Sequence, residues 1–144
     1  MPRTVVLGTI GSDAHVVGIT ILEQALSAAG FTVVNVGVQT SQAEFVEAVD
    51  AHDADALLVS SLYGHAERDC DGLHDRLSAA GLTPVTYVGG NLAVGQDDTE
   101  STHRRFREMG FDRVFGTDTD PEVAVRSLET DLHVPQRTGD RVQA

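Results

Sequence analysis

Five short apolar runs, each followed by a helical pattern, predict an α/β fold built on one parallel sheet. Three observations carry that prediction. The runs are short, rich in β-branched residues and continuously apolar rather than alternating, which marks strands buried on both faces. The stretches between them are long enough for crossover helices. Glycine, serine and proline stand where such helices should stop and start.

In chain order the strands fall at Thr4–Ile10, Thr32–Gly37, Ala56–Ser60, Val85–Val88 and Arg113–Phe115. Helical patterns cover Val16–Ala29, Ser41–His52, Glu67–Ala80, Thr99–Met109 and Pro121–Leu132. Gly30, Gly81 and Gly110 end three of them, and Ser41 and Pro121 begin two. Successive βα units impose right-handed crossovers. A five-stranded parallel sheet of this size is most often flavodoxin-like, with strand order 2-1-3-4-5 and helices on both faces. The spacing leaves room for one domain, residues 1–132. Residues 133–144 (HVPQRTGDRVQA) are polar and read as a disordered tail.

Composition narrows the partners. Fourteen Asp and eight Glu face ten Arg and no Lys, for a net charge of −12. Such a surface repels nucleic acid and anionic lipid, so neither is expected as a partner. No apolar run approaches the roughly 20 residues of a membrane span. The N-terminus, MPRTVVLG, lacks the apolar region of a signal peptide. The single cysteine, Cys70, cannot form an internal disulfide, and a cytoplasmic location is expected. Charge of this density destabilises a fold through self-repulsion unless salt screens it. A lysine-free, aspartate-rich chain therefore points to a halophilic host.

The predicted order makes strands one, three and four neighbours, and ligands of such sheets bind at the carboxyl ends of the strands. The loops there are Gly11-Ser12-Asp13-Ala14-His15, Ser60-Ser61-Leu62-Tyr63-Gly64 and Gly89-Gly90-Asn91. In the first, Asp13 and His15 stand two residues apart. A carboxylate bonded to one imidazole nitrogen fixes the tautomer and raises the basicity of the other. That pair suits metal ligation, general-base work or a plain loop contact. As a base, His15 would activate Ser60 or Ser61, but LVSSLYG is not the strained G-x-S-x-G elbow of a hydrolase. A phosphoacceptor receiver usually has a lysine ending its fifth strand, and the chain has none. A flavin phosphate would be repelled by Asp13. His65, Asp69, Cys70 and His74 fall at helical spacings that would suit zinc, although histidines on solvated helices are common.

Asp13-Ala14-His15-Val16-Val17-Gly18 resembles the D-x-H-x-x-G motif of cobalamin-binding domains. Ser60-Ser61-Leu62 resembles their S-x-L element, and Gly89-Gly90 their later G-G. Three elements in order, each at the end of an expected strand, make a specific signal. GSDAHVVG, FTVVNVGV, ADALLVSSLYG, YVGGNLAVG and MGFDRVF narrow the resemblance to the small, sigma subunits of glutamate mutase, over roughly residues 4 to 132.

The resemblance implies adenosylcobalamin bound base-off and histidine-on. His15 takes the place of the cofactor's own dimethylbenzimidazole as the lower ligand of cobalt, and Asp13 bonds its other nitrogen. Gly18 lets the displaced nucleotide tail pass the first helix, Ser60 bonds the benzimidazole, and Leu62 packs near the corrin. Gly89 and Gly90 admit the tail, flanked by Asn91, Leu92, Ala93, Val94 and Gly95. Ser12, Ala14, Val16 and Ser61 complete the expected cofactor contacts. No catalytic residue is expected in this chain beyond the tuning of the cofactor by His15 and Asp13. The implied reaction is the reversible rearrangement of L-glutamate to threo-3-methylaspartate, an isomerisation begun by homolysis of the cobalt–carbon bond. A large barrel-type subunit supplies the substrate site, docked on the corrin face around His15, Leu62 and Tyr63. The small chain of methylmalonyl-CoA mutase would share the three motifs, and a non-catalytic corrinoid carrier or sensor, a different class, would bind cobalamin without a barrel partner.

Overall fold

The computed structural model describes residues 3–10, 16–61, 66–90, 99–116 and 120–133. Five parallel strands form one sheet: β1 (Thr4–Ile10), β2 (Thr32–Thr40), β3 (Ala56–Ser61), β4 (Val85–Gly90) and β5 (Arg113–Phe115). Their order is β2-β1-β3-β4-β5, as expected of a flavodoxin-like sheet. Among the described residues, six helices connect or follow them: α1 (Val16–Ala28), α2 (Gln42–His52), α3 (Ala66–Cys70), α4 (Leu73–Ala79), α5 (Thr99–Met109) and α6 (Pro121–Asp131).

Side chains alternate across each strand, so the sheet has two apolar faces and a core against each. Val5, Leu7, Ala56, Leu58 and Tyr87 pack with Ile19 and Leu26 of α1 and Val125 and Leu128 of α6. Val6, Ile10, Leu57, Val59 and Val88 pack on the other side with Phe45, Leu73, Leu77 and Phe106 of α2, α4 and α5. The central strand β1 is buried from Val5 through Ile10, which explains its unbroken apolar sequence.

Local chemistry sets the ends of these elements. Ser41 caps α2 in a reciprocal box: its hydroxyl accepts from the Glu44 amide while Glu44 accepts from the Ser41 amide. The Ser41 amide that donates to it, helped by the Ser41 hydroxyl, holds the Glu44 carboxyl below its usual range. Asp120 caps α6, with Pro121 in the first turn. At the amino end of the sheet, the Asp55 carboxylate accepts from the Thr4 amide at 2.9 Å and Asp112 from the Thr86 amide at 2.8 Å. Asp131 accepts two hydrogen bonds from Arg113 and one from the Tyr87 hydroxyl, which ties the end of α6 to β4 and β5.

Two expectations are corrected. β2 runs three residues beyond Gly37, to Thr40, through two register shifts against β1. Gly37 and Gln39 take positive φ there, and the Gln39 amide is satisfied by the Thr9 hydroxyl at 3.0 Å. The helix expected over Glu67–Ala80 is two helices, broken at Asp71-Gly72, where Gly72 adopts φ +85°. The tail expected at 133–144 lies outside the described residues except for His133.

Candidate cofactor site

The topology brings the carboxyl ends of β1, β3, β4 and β5 side by side, and the register shows which residues share a row. Thr9 pairs with Ser60, Ser60 with Gly89, and Gly89 with Phe115. All four lie on the face covered by α1 and α6: Thr9, Ser60 and Gly89 each stand two residues beyond a member of that core, and Phe115 packs against it. Thr9 is fully buried; Ser60, Gly89 and Phe115 are half-buried.

Gly89 is the informative member. Its φ is not positive, so no turn demands glycine. A Cβ built there would lie 3.6 Å from the Phe115 Cβ and 3.7 Å from the Phe115 carbonyl oxygen, ordinary contact distances. Among the described residues, neither backbone geometry nor packing excludes a side chain at this position. The missing side chain leaves room on the row for a group of about that size beside Phe115. Gly8, one residue below Thr9 on the opposite face, is the contrasting case: a Cβ there would lie 2.6 Å from Val36 Cγ2.

Of the expected contacts, Ser60, Ser61 and Gly89 are described in full. Ser61 is buried and pairs with Gly90, so its side chain lies on the face opposite Ser60. Val16 and Gly18 fall in the first turn of α1, and Gly90 ends β4. Ser12, Asp13, Ala14, His15, Leu62, Asn91, Leu92, Ala93, Val94 and Gly95 lie outside the described residues, as does Tyr63. Sequence reasoning missed Thr9 and Phe115, which join the row only through cross-strand register. The available signal was their place in β1 and β5, level with Ser60 and Gly89.

Among the described residues the zinc-like spacing does not form a site. No group of three or more metal-ligating side chains converges among the described residues. The helix break at Asp71-Gly72 destroys the shared face. Cys70 is buried in the core beside Leu73 and Phe106, and burial pushes its thiol up to about 12. His74 packs edge-on against Phe111, its Nε2 2.9 Å from the Thr86 hydroxyl. Its buried Nδ1 has no partner among the described residues, and burial lowers its pKa. His65 is outside the described residues.

The B12 binding domain family model matches residues 3–126. Glutamate mutase sigma subunit 1 of Haloarcula marismortui is 66% identical over 143 residues, covering 99% of this chain and 95% of that protein. The sigma subunit of Halobacterium salinarum is 62% identical over 135 residues, covering 94% and 91%. This chain belongs to the glutamate mutase sigma subunits, within the B12-binding domain family. The fold agrees with that of a cobalamin-binding protein from Desulfitobacterium hafniense, at TM-score 0.74 and 23% identity over 90% of this chain. The sigma chain spans 58% of that longer protein, and the likeness is one of fold. Its lysine-free, acidic composition fits the Haloarcula and Halobacterium sigma subunits it resembles. Among the described residues, no helix is long and apolar enough to cross a membrane.

Proposed function

We propose that this chain carries adenosylcobalamin for glutamate mutase, the isomerase that interconverts L-glutamate and threo-3-methylaspartate, in the cytoplasm. Membership of the sigma subunits specifies the reaction. The absent side chain at Gly89, in a row with Ser60 at the carboxyl ends of neighbouring strands and demanded by neither a turn nor the packing of the described residues, is the observation that supports a bound group here. Identities of 62% and 66% along nearly the whole of both chains favour the mutase over a methylmalonyl-CoA mutase chain or a corrinoid carrier.

The residues fit the group. His15 would be the lower ligand of cobalt, with the cofactor base-off, and Asp13 would hold the imidazole in the ligating tautomer and raise its basicity. Ser60 would donate to or accept from the displaced base, and Gly18, Gly89 and Gly90 would leave room for the nucleotide tail. Ser12, Ala14, Val16, Leu62 and Asn91 to Gly95 would flank these contacts, and Ser61 would contribute through its backbone. When bound, adenosylcobalamin supplies a reversible source of carbon radical. This chain's own work is to hold and orient that source and to bar water beneath it with the apolar core under the row. A larger, barrel-type subunit would bind the substrate.

The test is reconstitution in concentrated KCl. Chain, adenosylcobalamin and the larger subunit of the same host are mixed, and methylaspartate is followed from L-glutamate. Activity that needs all three components is expected. No cobalamin binding by the chain, with or without the larger subunit, would contradict the proposal.

A further inference from the structure

Gln42 opens α2 beside the carboxyl end of β2, and its side chain crosses to the break between α3 and α4. One nitrogen, Nε2, donates to the Asp69 carbonyl and to the Asp71 carbonyl, both at 2.7 Å. These are carbonyls at the end of α3, a helix of five residues. A helix so short gains too few internal bonds to offset its nucleation cost, and its last carbonyls need outside donors. α3 follows β3 after only four residues and packs against β1 and α5. It therefore packs on β1 from the face opposite the Ser60–Gly89 row, with Cys70 in one core with Ile10, the last residue of β1 before the Asp13–His15 stretch of the sequence.

We propose that Gln42 is a positioning residue for the cofactor, an inference that rests on the cobalamin reading above. By holding the end of α3, it steadies the packing of α3 against β1, the strand that leads in sequence to Asp13 and His15. The chemistry calls for an amide: a single –NH2 offers both donors two carbonyls require. A glutamate of equal reach would set carboxylate oxygens against carbonyl oxygens, and methionine would offer no donor. With both bonds lost, α3 spends less time in place, and the apparent cofactor affinity falls by that same fraction.

The experiment titrates the full-length chain with cob(II)alamin in concentrated KCl, reading binding and axial hyperfine structure by EPR, beside a denaturant unfolding curve. Gln42→Met and Gln42→Glu are expected to unfold cooperatively but to bind about tenfold more weakly. Gln42→Lys, which restores donors, is expected to recover most of that loss. The Gln42→Glu deficit against wild type should shrink as pH falls toward about 4, where a protonated carboxyl can donate again. Should Gln42→Met fail to fold, Gln42→Glu and Gln42→Lys carry the comparison. Wild-type affinity in folded Gln42→Met or Gln42→Glu, or a Gln42→Lys as weak as Gln42→Glu, overturns this inference alone. A wild-type chain that binds no cobalamin, alone or with the larger subunit, overturns the reading beneath it.

Discussion

A methyl group at Gly8 would press on Val36, Phe45 and the Gly37 carbonyl at once, whereas one at Gly89 would meet only ordinary contacts with Phe115. The two glycines therefore separate packing from ligand binding. Gly8→Ala is expected to cost about 1–3 kcal/mol through overpacking, with cobalamin affinity little changed once the protein is folded. Gly89→Ala should leave stability unchanged or raise it by about 0.5–1 kcal/mol, while weakening cobalamin binding. Denaturant unfolding and cobalamin titration of both variants check the pair; a Gly89→Ala that binds normally would remove the space argument. In the proposed site, His15→Ala should abolish histidine ligation, and Asp13→Asn should weaken cobalamin binding by about 10- to 100-fold. The sequence announced Ser60 and Gly89 because their motifs are local. Thr9, Phe115 and Gln42 were silent because register and a tertiary hydrogen bond, rather than neighbouring residues, place them.

At the scale of elements, α4 carries a pH-sensitive contact. With the Thr86 hydroxyl turned to the Gly110 carbonyl at 3.4 Å, His74 donates from Nε2 and leaves a bare lone pair on the buried Nδ1. Burial disfavours the imidazolium, although Asp112 and Asp75 favour it, and the net shift is downward. The unfolded chain therefore takes up this proton first as pH falls. The contribution is complete above about pH 6.5 and is lost as pH drops through the lowered folded value. Unfolding curves at neutral pH and near about pH 5 should show a smaller loss in His74→Phe than in wild type; equal losses would contradict this. His74 was read as one member of a helical metal face, and that reading assumed a continuous helix. The Asp71-Gly72 pair that breaks it was visible, but one glycine within an otherwise helical pattern does not force a stop. The end of β2 escaped for a related reason, since Gly37 looked like a terminus and is instead a bulge within the strand.

For the whole molecule, the fold was legible because buried parallel strands and amphipathic helices have distinct periods, and five alternations leave few topologies. Net charge acts at this scale too. With −12 on 144 residues, stability should rise between about 0.1 M and about 3 M KCl as screening removes self-repulsion. A denaturation midpoint that is flat or falls across that range would count against a salt-adapted fold.

The central claim is that a histidine of this chain replaces the cofactor's own base on cobalt. Uniform nitrogen-15 labelling of histidine, followed by EPR of the chain with cob(II)alamin in concentrated KCl, tests it directly. The axial nitrogen lines should change in number with the label, as they must when the lower ligand is a protein imidazole. Lines that remain those of nitrogen-14 would show the cofactor keeping its own base, and would contradict the account.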